Sequence, residues 1–253
     1  KHIYCQSFAI YALSEYYKAT KNEEALNLAM ELFELIEGVG FNKENSAYLE
    51  EFDREWNITP NEMLSENGVI AEITTNTHLH VLEGYTTLYE ITKNEAVREK
   101  LKNLIYTFYN KIYDKENHFL KIFFDGNWNT IIDVKSYGHD IEASWLIDEA
   151  YKVLNLKDEA IEKMIIDIAY NIKSQIQEDG SLINESENGV KDYTRIWWVQ
   201  VEAMVGYLNA YERTHDEEFL KIVNNLMKYT MENMVDKREG GEWYWSIEPN
   251  GKP

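Results

Sequence analysis

The chain has 253 residues, 44% hydrophobic and 13% aromatic, and carries a formal net charge of −20 from 45 acidic and 25 basic side chains. That length and apolar content supply a sizeable core, while so large a surplus of carboxylates repels phosphate backbones and anionic lipid and excludes nucleic acid and membrane surfaces as expected partners. No apolar run approaches the roughly 18 to 20 residues that cross a bilayer, and the start does not read as a leader; the single cysteine, Cys5, makes neither an internal disulfide nor a multi-cysteine zinc site, so the expected setting is cytoplasmic.

Taken from the N-terminus, the first predicted element is a helix over "KHIYCQSFAIYALSEYY", followed by a polar turn and a second amphipathic helix in "SEYYKATKNEEALNLAMELF". The pattern returns in "TLYEITKNEAVREKLKNLIY", "DEAYKVLNLKDEAIEKMIID" and "NAYERTHDEEFLKIVNNLMK", with landmark tyrosines at Tyr17, Tyr89, Tyr151 and Tyr211. Intervening stretches such as "HFLKIFFDGNWN" and "GEWYWSIEPNG" alternate like short hairpins. Only three prolines, at 60, 249 and 253, are present to break helices. The expected fold is therefore all-α, a single domain over 1–253 made of about four helical pairs with hairpins in the loops. The repeat of about 60 to 70 residues exceeds the ~34 to 47 of ordinary helical-repeat arrays, and the hairpin accounts for the excess.

Counting back from each tyrosine aligns the chemistry. Nine residues back lie Phe8, His80, Glu142 and Glu202; twelve back lie Cys5, Thr77, His139 and Val199; thirteen back lie Tyr4, Asn76, Gly138 and Trp198. Positions three apart share a helix face, so polar groups from distant stretches fall in the first turns of equivalent helices. Eight and five back, mostly small residues such as Ala9, Ala143, Ala203, Gly84 and Gly206 let helices approach closely. This pattern predicts a ring of first helices with side chains converging at one mouth. A closed ring of this kind takes six pairs, and four are counted. The chain, which opens inside a helix and stops inside a hairpin, is thus either an open arc or a fragment of a longer enzyme, and the fragment is the expectation.

"NTHLHVLEGYT" at 76 to 86, "YGHDIEASWLIDEA" at 137 to 150 and "RIWWVQVEAMVGYLNAYE" at 195 to 212 closely resemble the N-acylglucosamine 2-epimerase superfamily, in its cellobiose 2-epimerase branch. The resemblance implies an (α/α)6 barrel that inverts C2 of the reducing-end sugar in β-1,4-linked disaccharides without a cofactor, so the implied partner is a small disaccharide. It also implies His139 as one of two catalytic histidines and His80 as a third active-site histidine that polarises O1 or assists ring opening. By the same resemblance Glu142 orients His139 or binds a hydroxyl, Asn76 and Tyr4 contact the reducing-end sugar, Trp198 stacks on a sugar face, and Glu202 joins the site by register. The second catalytic histidine and a site arginine are expected beyond Pro253 and before Lys1. The remaining histidines, His2, His118 and His215, read as surface groups, and His78 as either a support behind the site residues or a structural group. Metal is not expected: a di-iron site needs the His-x-x-Glu spacing of "HDIE" twice with two further glutamates, and that set is not found. The residues alone leave open a glycoside hydrolase with Glu142 and Glu202 as its carboxyl pair, an aldose-ketose isomerase, an N-acylglucosamine 2-epimerase and a non-catalytic helical scaffold.

Overall fold

A computed structural model describes residues 1–60 and 69–253. Its helices come in four pairs: α1 (Ile3–Thr20) with α2 (Glu23–Leu35), α3 (Thr75–Thr92) with α4 (Glu95–Thr107), α5 (Tyr137–Val153) with α6 (Glu159–Ile172), and α7 (Trp197–Thr214) with α8 (Glu217–Tyr229). These are the four repeats read from the sequence. The chain divides into two compact units: Lys1–Ile112, Lys121–Ile132 and Leu146–Asp158 form one, and Tyr113–Leu120, Asp133–Trp145 and Glu159–Pro253 the other.

The landmark tyrosines mark the joint inside each pair. Four residues after each comes a left-handed residue, Lys21, Lys93, Asn155 or His215, with φ between 52° and 58° except for Lys93 at 51°. In the first, second and fourth pairs its N–H donates to the tyrosine carbonyl, which ends the helix with an αL cap. One residue later Asn22, Asn94 and Asp216 accept backbone N–H groups of the next helix. In the third pair five residues instead of two separate the helices, and there the Tyr151 hydroxyl accepts the Asp158 N–H at 2.9 Å. Tyrosine recurs because its backbone closes one helix while its ring lies against the turn that starts the next: Lys21 and Lys93 sit over the Tyr17 and Tyr89 rings at 5.4 and 4.8 Å.

Each pair is also closed by short strands. The residues before α1, α3, α5 and α7 pair antiparallel with the segment that follows the second helix of the same pair: His2 with Glu51, Ile73–Thr74 with Phe123–Phe124, Val134–Ser136 with Glu185–Glu187, and Arg195–Ile196 with Ser246–Ile247. The expectation that "HFLKIFFDGNWN" and "GEWYWSIEPNG" alternate like short hairpins holds locally in the first, where Phe124 bridges Thr130 across a turn closed by the Asp125 N–H on the Asn129 carbonyl, but both stretches also pair at long range. Phe119–Leu120 pairs locally with Tyr113–Asp114, but Phe123–Phe124 reaches Ile73–Thr74. Likewise Trp243 bridges Val235 while Ser246–Ile247 reaches Arg195–Ile196. Alternation reports only that a stretch is extended; it does not name the partner.

Polar residues eleven before three of the tyrosines pin these loops to the helices. His78 Nε2 accepts the Tyr48 N–H (3.1 Å), Asp140 Oδ1 the Leu120 N–H (2.7 Å), and Gln200 Oε1 the Leu182 N–H (2.9 Å). All three are fully buried. Each thus supplies an acceptor to a buried amide that would otherwise cost about 1–3 kcal/mol unpaired.

Glycine sets the spacing of neighbouring first helices. A Cβ on Gly84 of α3 would lie 2.7 Å from the Ser7 carbonyl oxygen of α1, and one on Gly206 of α7 would lie 2.7 Å from the Ile141 carbonyl oxygen of α5. The two glycines stand five residues before their tyrosines, and Ser7 and Ile141 ten before theirs. The same close approach is therefore built once in each unit, at positions the sequence marks as small.

Candidate functional site

The predicted site residues fall into two groups, one in each unit. In the first unit, His80 stands one and a half turns into α3, with its ring 4.4 Å from Phe8 and 6.4 Å from Tyr4 of α1. Its Nδ1 lies 3.0 Å from Glu83 Oε2 on the next turn, and the two side chains are only 11% and 13% exposed. A carboxylate at neutral pH only accepts, so this contact places a proton on Nδ1. Burial, with Cys5 and Glu50 adding to it, pushes the Tyr4 phenol up to about 12. Asn76 is half-buried on the first turn of the same helix.

His78, two residues before His80, goes elsewhere. It is fully buried, donates from Nδ1 to the Thr74 carbonyl at 2.8 Å, accepts at Nε2 from Tyr48, and is covered edge-on by Trp128 at 5.2 Å. Desolvation holds it down at about 4, so it is a neutral structural ring. It lines a 370 Å³ cavity with Phe41, Tyr48 and Lys100, which none of the candidate site residues borders.

In the second unit, α5 begins directly after the strand Val134–Ser136. His139 Nδ1 is 2.7 Å from Ser136 Oγ, and its ring centroid is 5.0 Å from that of Trp198 at the start of α7. Gly138 makes room for that indole, because a Cβ there would lie 2.6 Å from it. Glu142 is buried one turn after His139. Glu202 Oε2 accepts the Trp145 indole N–H at 2.9 Å. Trp145 therefore holds a candidate site carboxylate.

The stretch "YGHDIEASW" thus separates into roles. Asp140 pins Leu120 and is fully buried; desolvation raises its carboxyl well above the ordinary range, against the Leu120 N–H and Lys135, which lower it. Its Oδ2 has no hydrogen-bond partner among the described residues, consistent with a neutral acid. Ser144 holds the Ile165 carbonyl at 3.0 Å. His139 and Glu142 are the candidate site residues of this stretch.

Two residues beside the histidines were missed in the sequence. Ser136 lies before the helix and has no register signal of its own. Glu83 had one: "HVLE" at 80 to 83 repeats the His-x-x-Glu spacing of "HDIE" at 139 to 142. Glu83 is bonded to the ring of its own His80, and among the described residues no group of three or more His, Cys, Asp or Glu is placed to hold a metal ion. His2, expected at the surface, is partly buried and bridges to Glu51. No described helix is long and apolar enough to cross a membrane.

Comparison with known proteins places this geometry in a family. The chain matches N-acylglucosamine 2-epimerase (GlcNAc 2-epimerase) over residues 1–253. It is 46% identical to a cellobiose 2-epimerase of Dictyoglomus turgidum over 100% of this chain and 65% of the relative, and 46% identical to one of Ruminococcus albus over 98% and 64%. The solved cellobiose 2-epimerase of Bacillus thermoamylovorans B4167 is 59% identical and superposes with a TM-score of 0.97 over 100% of this chain and 66% of that one. The chain spans about two thirds of the length of the curated relatives it matches. The fold class is the (α/α)6 barrel, of which four helical pairs are described here. The chain belongs to the N-acylglucosamine 2-epimerase family.

Proposed function

We propose that the protein inverts C2 of the reducing-end glucose of β-1,4-linked disaccharides, turning cellobiose into glucosyl-mannose and lactose into epilactose, with no cofactor. The observation that carries this reading is similarity to cellobiose 2-epimerases at 46% identity along the entire chain, including the stretches that hold His80, His139 and Glu142.

The chemistry uses these residues as follows. The C2 proton of an open-chain aldose is α to the C1 carbonyl, so its removal needs a base at C2 and donors for the oxygen that gathers charge. His139 is the base: imidazole changes protonation near neutral pH, and this ring is half-buried rather than locked in the core. His80, with Nδ1 on Glu83, offers its other nitrogen to O1. Glu142 orients His139 or a sugar hydroxyl. Asn76 and Tyr4 bind the reducing-end sugar, Trp198 stacks on a sugar face beside His139, and Glu202, held by Trp145, takes a hydroxyl.

The test is incubation with cellobiose in deuterated water, followed by NMR. Deuterium at C2 of a glucosyl-mannose product is the expected outcome; released glucose would replace this reading with hydrolysis, and a ketose product with isomerisation. His139→Asn should leave the thermal melt unchanged and lower turnover by the ~10² to 10⁴-fold typical of deleting a general base. An active His139→Asn enzyme with a normal melt would remove His139 from the mechanism.

A further inference from the structure

We propose that Ser136 is a positioning residue that keeps Nδ1 of His139 protonated, so that the C2 proton is exchanged through Nε2. This rests on the reading of His139 as the base.

Three histidines in these helices have Nδ1 partners of different chemistry. His78 faces a backbone carbonyl and His80 a carboxylate, and both accept only, so each partner fixes the tautomer outright. His139 faces a hydroxyl at 2.7 Å, which both donates and accepts. The catalytic cycle decides between the two arrangements. With Nδ1–H donating to Ser136 Oγ, the bond persists in the neutral ring and in the imidazolium, and only Nε2 gains or loses a proton. The C2–H bond breaks toward Nε2, its electron pair enters the enediolate, and nothing around Nδ1 reorganises. With the hydroxyl donating instead, each protonation would break that bond and force the hydroxyl to turn. Preorganisation favours the first arrangement.

Ser136 is held where this requires. It is 5% exposed, and it is the last residue of a strand whose backbone pairs with Glu185. It stands fifteen residues before Tyr151. At the same distance before Tyr89, Thr74 has the corresponding hydroxyl, but that group accepts the backbone N–H of Thr77 at 3.1 Å. The two residues hold the same place at a strand-to-helix junction, and the Ser136 hydroxyl meets an imidazole.

The experiment has two independent arms. Nitrogen-15 NMR of the histidine rings in the purified protein reads the tautomer directly, without reference to activity, and a protonated Nδ1 with a bare Nε2 is expected for neutral His139. Kinetics on cellobiose should show Ser136→Ala losing at least tenfold in kcat at nearly unchanged KM, with a displaced pH profile, and Ser136→Thr recovering most of the loss. An Nε2–H tautomer in the native protein, or a Ser136→Ala enzyme with native kcat and pH profile, would overturn the proposal. If Ser136→Ala fails to fold, the tautomer and the Ser136→Thr profile still decide. If the native protein exchanges no C2 proton, the function above fails, while the NMR arm still judges the role of Ser136.

Discussion

Thr74 is held at both backbone groups by titratable side chains that respond to pH with opposite sign. Its N–H donates to Glu50 Oε1 and its carbonyl accepts from His78 Nδ1, each at 2.8 Å. Burial, only partly offset by the Thr77 and Thr74 hydrogen bonds, lifts Glu50 from 4.5 to about 7. The fold therefore prefers the protonated acid: that contribution is complete below pH 4.5 and is lost as pH rises through 7. His78 falls from 6.5 to about 4, so its contribution is present above 6.5 and is lost as pH falls toward 4. Glu50→Gln keeps an acceptor for Thr74 without the ionisation. The native protein should lose on the order of 3 kcal/mol between about pH 5 and pH 8 through Glu50 alone, and the Gln variant should not. Urea midpoints of the two proteins at both pH values check this; parallel curves would show that Glu50 ionises normally. At this scale the sequence disclosed the histidines, because register brings unrelated stretches to one helix face. It did not disclose Glu50 or Ser136, which lie outside the helices and owe their contacts to strand pairing.

Helices were the most legible elements, since the tyrosine repeat, the polar turn and the amphipathic second helix all recur. Strand partners were not, because pairs of two residues carry too little pattern to name a partner 50 or so residues away. A repeated loop also passed unnoticed: "FDREWN" at 52 to 57 and "FDGNWN" at 124 to 129 fold alike, with Asp53 and Asp125 accepting from Asn57 and Asn129 and with Trp56 and Trp128 both at φ 66°. The small residues five before the tyrosines were legible, and they allow a test in which two effects compete. Ala in place of a helical Gly gains about 1 kcal/mol in propensity. At Gly84 and Gly206 the added methyl would meet a carbonyl oxygen of the neighbouring helix at 2.7 Å, and backbone cannot step aside as a side-chain tip does. Overpacking of about 1–3 kcal/mol or more outweighs the gain. Gly84→Ala and Gly206→Ala should each lower the unfolding free energy, whereas Gly38→Ala, with nothing within 4 Å of the new Cβ, should not. Stabilisation at either helical position would mean that the helices separate at little cost.

Charge acts on the molecule as a whole. Twenty carboxylates lack a basic counterpart, since 45 acidic residues face 25 basic ones. Several ion pairs among the described residues are exposed, such as Lys18 with Glu90, Lys163 with Asp167 and Arg98 with Glu95, and such pairs contribute only about 0–1 kcal/mol each. The larger collective term is repulsion among carboxylates. Salt screens this repulsion and the exposed attractions alike, but repulsion dominates the sum, so moderate salt should stabilise the fold. Raising NaCl from about 20 to about 200 mM, where the Debye length shortens from roughly 20 Å to below 10 Å, is expected to raise Tm by several degrees. The pH dependence follows from the same balance. Lowering pH toward the isoelectric point near 4.7 reduces the net charge and favours protonated Glu50, while His78 opposes any fall below 6.5. The Glu50 and His78 slopes oppose and nearly cancel between about pH 4.5 and 6.5, so stability should be nearly level there and decline above about pH 6.5, more steeply at low salt than at high salt. Thermal melts across pH 5 to 8 at the two salt concentrations measure both effects. A Tm that falls with added salt would mean that specific ion pairs, and not the carboxylate surplus, govern the stability of this protein.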